Sequence, residues 1–309
     1  MDQIDSVVES PRLQLFTNRA SRLFAKAAES VEPLLPANKL WRFSYWSEFY
    51  GANPDAQPDD IRLVKKEVVN QLENKGWVAR RVIERGLESL FPRSCFSTEE
   101  ALKYQNDCSL WFSKPVHLSG GRGIECLASN DLAEYELPSA NILQQGIQKL
   151  ALIDGRKFTT RVYVLVWNKQ LWLFDEGFVL LHGVPFDPES VDYEVHVDHR
   201  GYDKADSPVE MRLLTSLIDF EQRWPTIQAA TSSLKPLFQE VLSASSHNRY
   251  LLLGIDFLLQ NDGGLQFIEV NAIPNFVHSH SINNQLNIPF FTEALKQICE
   301  LEASRLIRL

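Results

Sequence analysis

The sequence predicts an α+β protein in which antiparallel sheets carry helices on one side. Short apolar runs separated by turn residues crowd the middle and C-terminal thirds, with amphipathic helical patterns around them. No repeat of fixed period and no low-complexity segment interrupts that order. At 309 residues, 44% hydrophobic and 23% charged, the chain has the composition of a globular protein with more than one structural unit.

Residues 1 to about 30 read as a polar helix, with Leu13, Leu15, Phe16, Leu23 and Phe24 as an imperfect apolar stripe. The run WRFSYWSEFY (41–50) is aromatic enough to pack a small domain or to form a docking surface, and its density favours packing. A loop over 53–59 leads into an amphipathic helix over 60–75, closed by Gly76. Ser97-Thr98-Glu99-Glu100 opens a short capped helix. Strands follow over 110–114, 124–128 and 141–147, then an antiparallel pair over 162–167 and 170–181 turns at Asn168-Lys169. Helices are expected over 208–220, 224–243 and 289–308.

A net charge of −9, a pI near 5.4 and the lack of a long basic run argue against non-specific binding to nucleic acid or to an anionic membrane. Cys95, Cys108, Cys126 and Cys299 are scattered without metal spacing and read as buried, reduced thiols. No apolar run has the length of a membrane span, and MDQIDSVVES lacks a signal-peptide pattern; the expectation is a cytoplasmic protein.

The most informative segment is 251–274, LLLGIDFLLQNDGGLQFIEVNAIP. Two apolar runs flank Asn261-Asp262-Gly263-Gly264, which reads as a β-hairpin with a two-residue or four-residue loop. Either loop sets Gln260 opposite Leu265 and Asp256 opposite Glu269, with Asn271 on the same face. Facing carboxylates inside apolar runs repel, so a bound cation is expected, and oxygen ligands of this kind suit Mg²⁺ carried by nucleotide phosphates.

Four other constellations could carry chemistry. Lys114 ends a strand ahead of Ser119-Gly120-Gly121-Arg122-Gly123, either a phosphate cradle or a glycine-rich surface hairpin; it is neither a Walker A loop nor a dinucleotide fingerprint. Arg161, in GRKFTTR (155–161), shares a face with Tyr163 and Leu165, which places a guanidinium either inward against an anion or outward to solvent. Asp175-Glu176-Gly177-Phe178 marks either a functional acid pair or a bulge. His196-Val197-Asp198-His199-Arg200 has no defensible zinc spacing and reads as a solvated loop.

In order along residues 60–300, FPRSCF, WFSKP, LSGGRGI, ILQQGI, GRKFTTRVYVLV, DEGF, GIDFLL and FIEVNAIP resemble the tubulin–tyrosine ligase-like branch of the ATP-grasp superfamily. The resemblance implies an N-terminal α/β domain over 1–88, a central subdomain over 89–150 and a C-terminal subdomain with a metal site over 151–309, with ATP held between two antiparallel sheets. It implies that Lys114 touches the α/β-phosphates and that Ser119, Gly120, Gly121, Arg122 and Gly123 close over them. Gln144, Gln145, Gly146 and Ile147 would form the adenine hinge. Lys157 and Arg161 would face the nucleotide and reacting group, while Asp256, Glu269 and Asn271 would hold Mg²⁺ or Mn²⁺. Lys65 or Lys66 would match a further nucleotide-side lysine. The activity implied is ATP-dependent joining of a carboxylate to an amine through an acyl phosphate; a hydroxyl phosphotransferase and a non-catalytic nucleotide-binding scaffold are the alternatives. Thr159 replaces the family's acid in K-F-D-x-R, Asp175 its arginine in R-E-G, and His196-Val197-Asp198 matches H-L-T-N loosely. The substrate expected is an amino acid or peptide other than the acidic tubulin tail.

Overall fold

The computed structural model describes residues 12–19, 21–197, 200–202, 204, 206–276 and 278–309. The chain opens with β1 (Leu13–Thr17), α1 (Leu23–Val31), β2 (Trp41–Tyr45) and β3 (Ile61–Leu63), then α2 (Lys66–Glu73) and α3 (Lys75–Glu84). A second group holds β4 (Ser94–Cys95), α4 (Thr98–Leu102), β5 (Leu110–Pro115), β6 (Glu125–Ala128) and β7 (Asn141–Gln145). Next come β8 (Phe158–Trp167), β9 (Gln170–Leu181), α5 (Tyr193–His196), β10 (Glu210–Leu213), α6 (Phe220–Ser233) and α7 (Gln239–Ala244). The chain closes with β11 (Arg249–Leu259), β12 (Leu265–Asn271), α8 (His280–Ile282), α9 (Ile288–Ile298) and β13 (Leu306–Arg308).

Among the described residues these strands form two sheets. The smaller, β4-β7-β5-β6, is antiparallel as expected. The larger has nine strands and is mixed rather than antiparallel, because β1, β2 and β3 pair in parallel and β3 joins β11 in parallel. One edge of β11 is divided: its first residues pair with β3 and its last with β12.

Helices cover both faces of the large sheet, which corrects the one-sided expectation. Val162, Val164, Leu251, Leu253 and Phe257 pack in one core with residues of α2, α3 and α7. Tyr163, Leu165, Tyr250 and Leu252 pack in the other with Phe24 of α1 and Phe290 of α9. A strand buried on both faces reads as a continuous apolar run, which accounts for Leu251-Leu252-Leu253.

Several N- and C-terminal expectations need correction. LQLFT forms β1, paired in parallel with β2, rather than the start of a helix, while residues 1–11 lie outside the described residues. Aromatics of β2 do pack, with Trp41, Phe43 and Tyr45 buried, but Phe49 and Tyr50 are exposed. The segment 60–75 is β3 followed by α2, and Gly76 lies inside α3, whose N-cap Asn74 accepts from Trp77 N at 2.8 Å. The span 208–220 holds β10, recruited as a partner for β9 through Glu210↔Leu181, so tertiary pairing overrides local helical pattern. A 3₁₀ turn over Lys235–Phe238 divides 224–243. The last helix stops at Ile298 near Glu300, whose φ is +62°, and the chain returns as β13 on β9. Ser97 caps α4 by accepting from Glu100 N, and Asn168 and Lys169 turn β8 into β9 with φ of +46° and +60°, both as expected.

The Phe290 ring is fully buried and stacks on Tyr163 at 5.0 Å. Phe290→Ala should lower stability by about 3–5 kcal/mol, read by urea unfolding, because it leaves a cavity among the packed rings of Tyr163, Phe174, Phe276 and Phe291.

Candidate functional site

β11 and β12 form the expected hairpin, and Asp256 faces Glu269. The route to that register differs from the simple count. Leu259, not Gln260, faces Leu265, and a β-bulge between Asp256 and Phe257 leaves Ile268 as the extra residue that restores the pairing. Asn271 shares the face and donates from Nδ2 to Asp256 Oδ2 at 3.1 Å.

Protein cations neutralise both carboxylates. Arg161, on neighbouring β8 in register with Asp256, donates from Nε and Nη2 to the two carboxylate oxygens at 2.5 and 2.6 Å. The guanidinium therefore points inward, and Gly254 leaves it room: a Cβ there would lie 3.2 Å from Arg161 Cδ. Lys75 reaches Glu269 at 2.9 Å and also donates to Leu118 O at 2.6 Å, tying the hairpin to the glycine loop.

A cavity of about 750 Å³ lies between the sheets. The small sheet supplies Leu110, Phe112, Lys114 and Gln144; the large sheet supplies Thr159, Asp256, Leu258 and Glu269, with Lys157 and His182 one residue beyond the ends of β8 and β9. Lys114 donates to Gln144 Oε1 at 2.5 Å, and Gln144 donates onward to Ser94 Oγ at 3.1 Å. Lys157 donates to His196 O at 2.8 Å. Both ammonium groups sit over the Phe112 ring, at 5.5 and 5.6 Å. Burial lowers Lys114 to about 8 and Lys157 to about 7, helped in each case by a neighbouring lysine. His196 is buried in α5, not solvated; burial and then Lys157 lower it to about 4, and its neutral ring donates from Nε2 to Ser190 O at 2.7 Å. Asp198 and His199 of that run lie outside the described residues.

The sequence-derived residues divide by placement. Lys114, Gly121, Gln144, Gln145, Gly146, Ile147, Lys157, Asp256 and Glu269 line the cavity. Arg161 and Asn271 stand behind Asp256, bonded to it. Ser119, Gly120, Arg122 and Gly123 are exposed, and Arg122 folds back to donate to Ser119 O. Gly121 alone of that loop meets the cavity, with φ of +73° and no space for a Cβ beside the Tyr193 hydroxyl, which donates to Gly121 O at 2.9 Å. Neither Lys65 nor Lys66 lines the cavity, and Lys66 lies over Phe49, whereas Lys75 and Lys149 do line it. Asp175 does not line the cavity: a bulge in β8–β9 turns it toward β13, where it pairs with Arg305 at 2.7 Å. Lys75 and Phe112 escaped sequence reasoning, although Asn74 three residues ahead of Trp77 is a helix-start signal that would have placed Lys75 at a helix N-terminus.

Asp256, Glu269 and Asn271 offer hard oxygen donors on one face, so the set fits Mg²⁺ or Mn²⁺ in type. Among the described residues no cluster of three or more His, Cys, Asp or Glu side chains could hold a metal, so two carboxylates and an amide would need substrate or water oxygens to complete the shell.

A sequence profile described as "Tubulin-tyrosine ligase family" matches residues 92–305. Tubulin glycylase 3B of Tetrahymena thermophila is 25% identical over 203 residues, covering 58% of this chain and 17% of the relative. Tubulin monoglycylase TTLL3 of Mus musculus is 24% identical over 239 residues, 66% of this chain and 25% of the relative. Probable tubulin polyglutamylase TTLL9 of Mus musculus is 26% identical over 195 residues, 57% of this chain and 42% of the relative. The chain thus spans less than half the length of these curated relatives.

This geometry has measurable consequences for anion binding and for stability. Sulfate, whose charge is constant across the range, should bind most tightly below pH about 7 and lose affinity as pH rises past about 8, because Lys157 and then Lys114 lose their protons in the empty cavity. Calorimetry at pH about 8 in buffers of different ionisation enthalpy should show proton uptake on binding; proton release would contradict the lysine assignment. Arg161→Gln should destabilise the chain by about 3–5 kcal/mol by leaving Asp256 buried and unpaired. Mn²⁺ should raise the thermal midpoint of that variant more than that of the wild type, because the ion replaces the missing counter-charge.

Proposed function

From the premise that the chain belongs to the tubulin–tyrosine ligase family, we propose that it is an ATP-dependent ligase of ATP-grasp architecture, joining the carboxylate of one substrate to the amine of an amino acid or peptide. The observation that carries this reading is the cavity between the two sheets, where Lys114, Lys157 and Lys75 gather against Asp256 and Glu269. Gln144 to Ile147 edge the cavity and are the proposed adenine hinge, with the Gly146 N–H committed to Leu110 O at 2.8 Å and the Gln145 N–H to Arg93 O at 2.9 Å. The Gln144 side chain orients Lys114.

Lys114 and Lys157 are the proposed phosphate contacts, each regaining full charge as phosphate approaches. Asp256, Glu269 and Asn271 would hold Mg²⁺, which when bound supplies charge neutralisation to the phosphates. A substrate carboxylate oxygen bonds to the γ-phosphorus as the bond to ADP breaks. The amine nitrogen then bonds to the acyl carbon, loses a proton, and orthophosphate departs. Arg161, released from Asp256 by the arriving cation, would stabilise the developing oxyanion. No protein nucleophile is required. The similarity to glycylases and a polyglutamylase supports an amino acid as one substrate and a peptide or protein as the other.

A coupled ADP-release assay with pooled amino acids and peptides tests the reading. ADP accompanied by an amide product supports it; a phosphorylated alcohol indicates a phosphotransferase, and no turnover with any acceptor indicates a scaffold. Glu269→Gln should abolish turnover with an unchanged circular dichroism spectrum. Full activity in that variant would remove Glu269 from the site.

A further inference from the structure

A corner of the chain that precedes the profile-matched span 92–305 reaches the candidate site at three points. This corner is Glu73-Asn74-Lys75, where α2 gives way to α3. Lys75 N donates to Val116 O at 3.0 Å, and its ammonium joins Glu269 to Leu118 O. Asn74 Nδ2 lies 3.4 Å from His117 Nε2. Glu73 Oε1 accepts from Ala272 N at 2.6 Å and from Ile273 N at 3.0 Å.

The third contact has no role in the reading above. β12 ends at Asn271, so the N–H groups of residues 272 and 273 have left the sheet ladder. Ala272 is buried, and a buried N–H without a partner is costly. The partner comes from 199 positions away in sequence and is a carboxylate, which makes both bonds charge-assisted. Burial raises the Glu73 pKa, but both backbone donors oppose that rise and favour the ionised form. With two consecutive N–H groups bound to one oxygen, the main chain leaving Asn271 is pinned. That main chain sets the direction of the Asn271 amide, whose nitrogen already holds Asp256 Oδ2.

We propose that Glu73 is a positioning residue: by fixing the main chain at Ala272 and Ile273 it orients Asn271, and with it Asp256, toward the divalent cation of a bound nucleotide. The proposal rests on the Mg²⁺–ATP reading of the cavity. Residues that orient metal ligands typically affect metal affinity by about 10–100-fold when removed, although they touch no metal.

The test is Mn²⁺ binding to the full chain in the presence of the non-hydrolysable analogue adenylyl imidodiphosphate, followed by electron paramagnetic resonance. Glu73→Ala should weaken Mn²⁺ binding by about 10-fold or more while leaving affinity for the metal-free analogue unchanged. Glu73→Gln, whose amide oxygen still accepts, should retain most of the Mn²⁺ affinity. If Glu73→Ala does not fold, Glu73→Asp carries the test: it keeps the charge, shortens the reach, and should weaken Mn²⁺ binding several-fold without moving the thermal midpoint. A wild-type chain that binds Mn²⁺–analogue together with variants that bind it equally well overturns the proposal alone. A parallel loss of metal-free and metal-dependent affinity with a lowered midpoint also overturns it, in favour of a purely structural role. A wild-type chain that does not bind the analogue overturns the nucleotide reading, and this proposal with it.

Discussion

Two carboxylates that face each other across an antiparallel pair, in strands that are otherwise apolar, must be neutralised, and the architecture around the cavity depends on that constraint. At a cross-strand separation of about 5 Å and an effective dielectric of about 20, their repulsion is roughly 3 kcal/mol. Asp256 takes its counter-charge from Arg161 on the adjacent strand, and Glu269 takes its from Lys75 on a helix. The first pairing requires β8 beside β11 in register. The second requires α3 to start against the hairpin, which ties the N-terminal elements to the site. The bulge at Ile268 has the same origin: it keeps Phe267 in the core opposite Phe257 while Glu269 stays opposite Asp256.

Much of this was legible in the sequence wherever the relevant contact is local. Asp256, Glu269 and Asn271 lie within one hairpin, so turn residues and strand periodicity were enough to bring them to one face. The count at the turn was one residue off, yet the pairing came out correctly because the bulge compensates, and a bulge leaves no period-two signature. Arg161 was recognisable as a cation within an apolar strand, but its partner could be a phosphate, a carboxylate or solvent until the strand order was known. That order places β8 directly against β11.

What was not legible depends on contacts between distant segments. Lys75 reads as the end of one helix when it begins another, and nothing within ten residues of it indicates Glu269. Asp175 sits in a motif position where its family has arginine, which suggests a reversed charge facing substrate. The β8–β9 bulge instead directs it to Arg305 at the far end of the chain. The span 208–220 illustrates the same limit in secondary structure: its helical pattern is real, but β9 has an open edge and β10 fills it.

The charge balance of the cavity follows from these placements. Along its lining Lys75, Lys114, Lys149 and Lys157 outnumber Glu189, Asp256 and Glu269, with Arg161 behind Asp256, within a chain whose net charge is −9. A locally positive, partly buried concavity in an acidic protein attracts anions more strongly than net charge implies, since low-dielectric walls focus its field. Burial also holds Lys157 near the point of losing its proton, so at and above neutral pH an anion in the cavity raises the positive charge that the empty cavity carries. A metal-bound triphosphate, as proposed, is net negative and would bring a cation able to stand in for the protein counter-charges on Asp256 and Glu269. The internal ion pairs and the proposed ligand are therefore alternative solutions to one electrostatic problem, and exchange between them leaves no carboxylate unpaired.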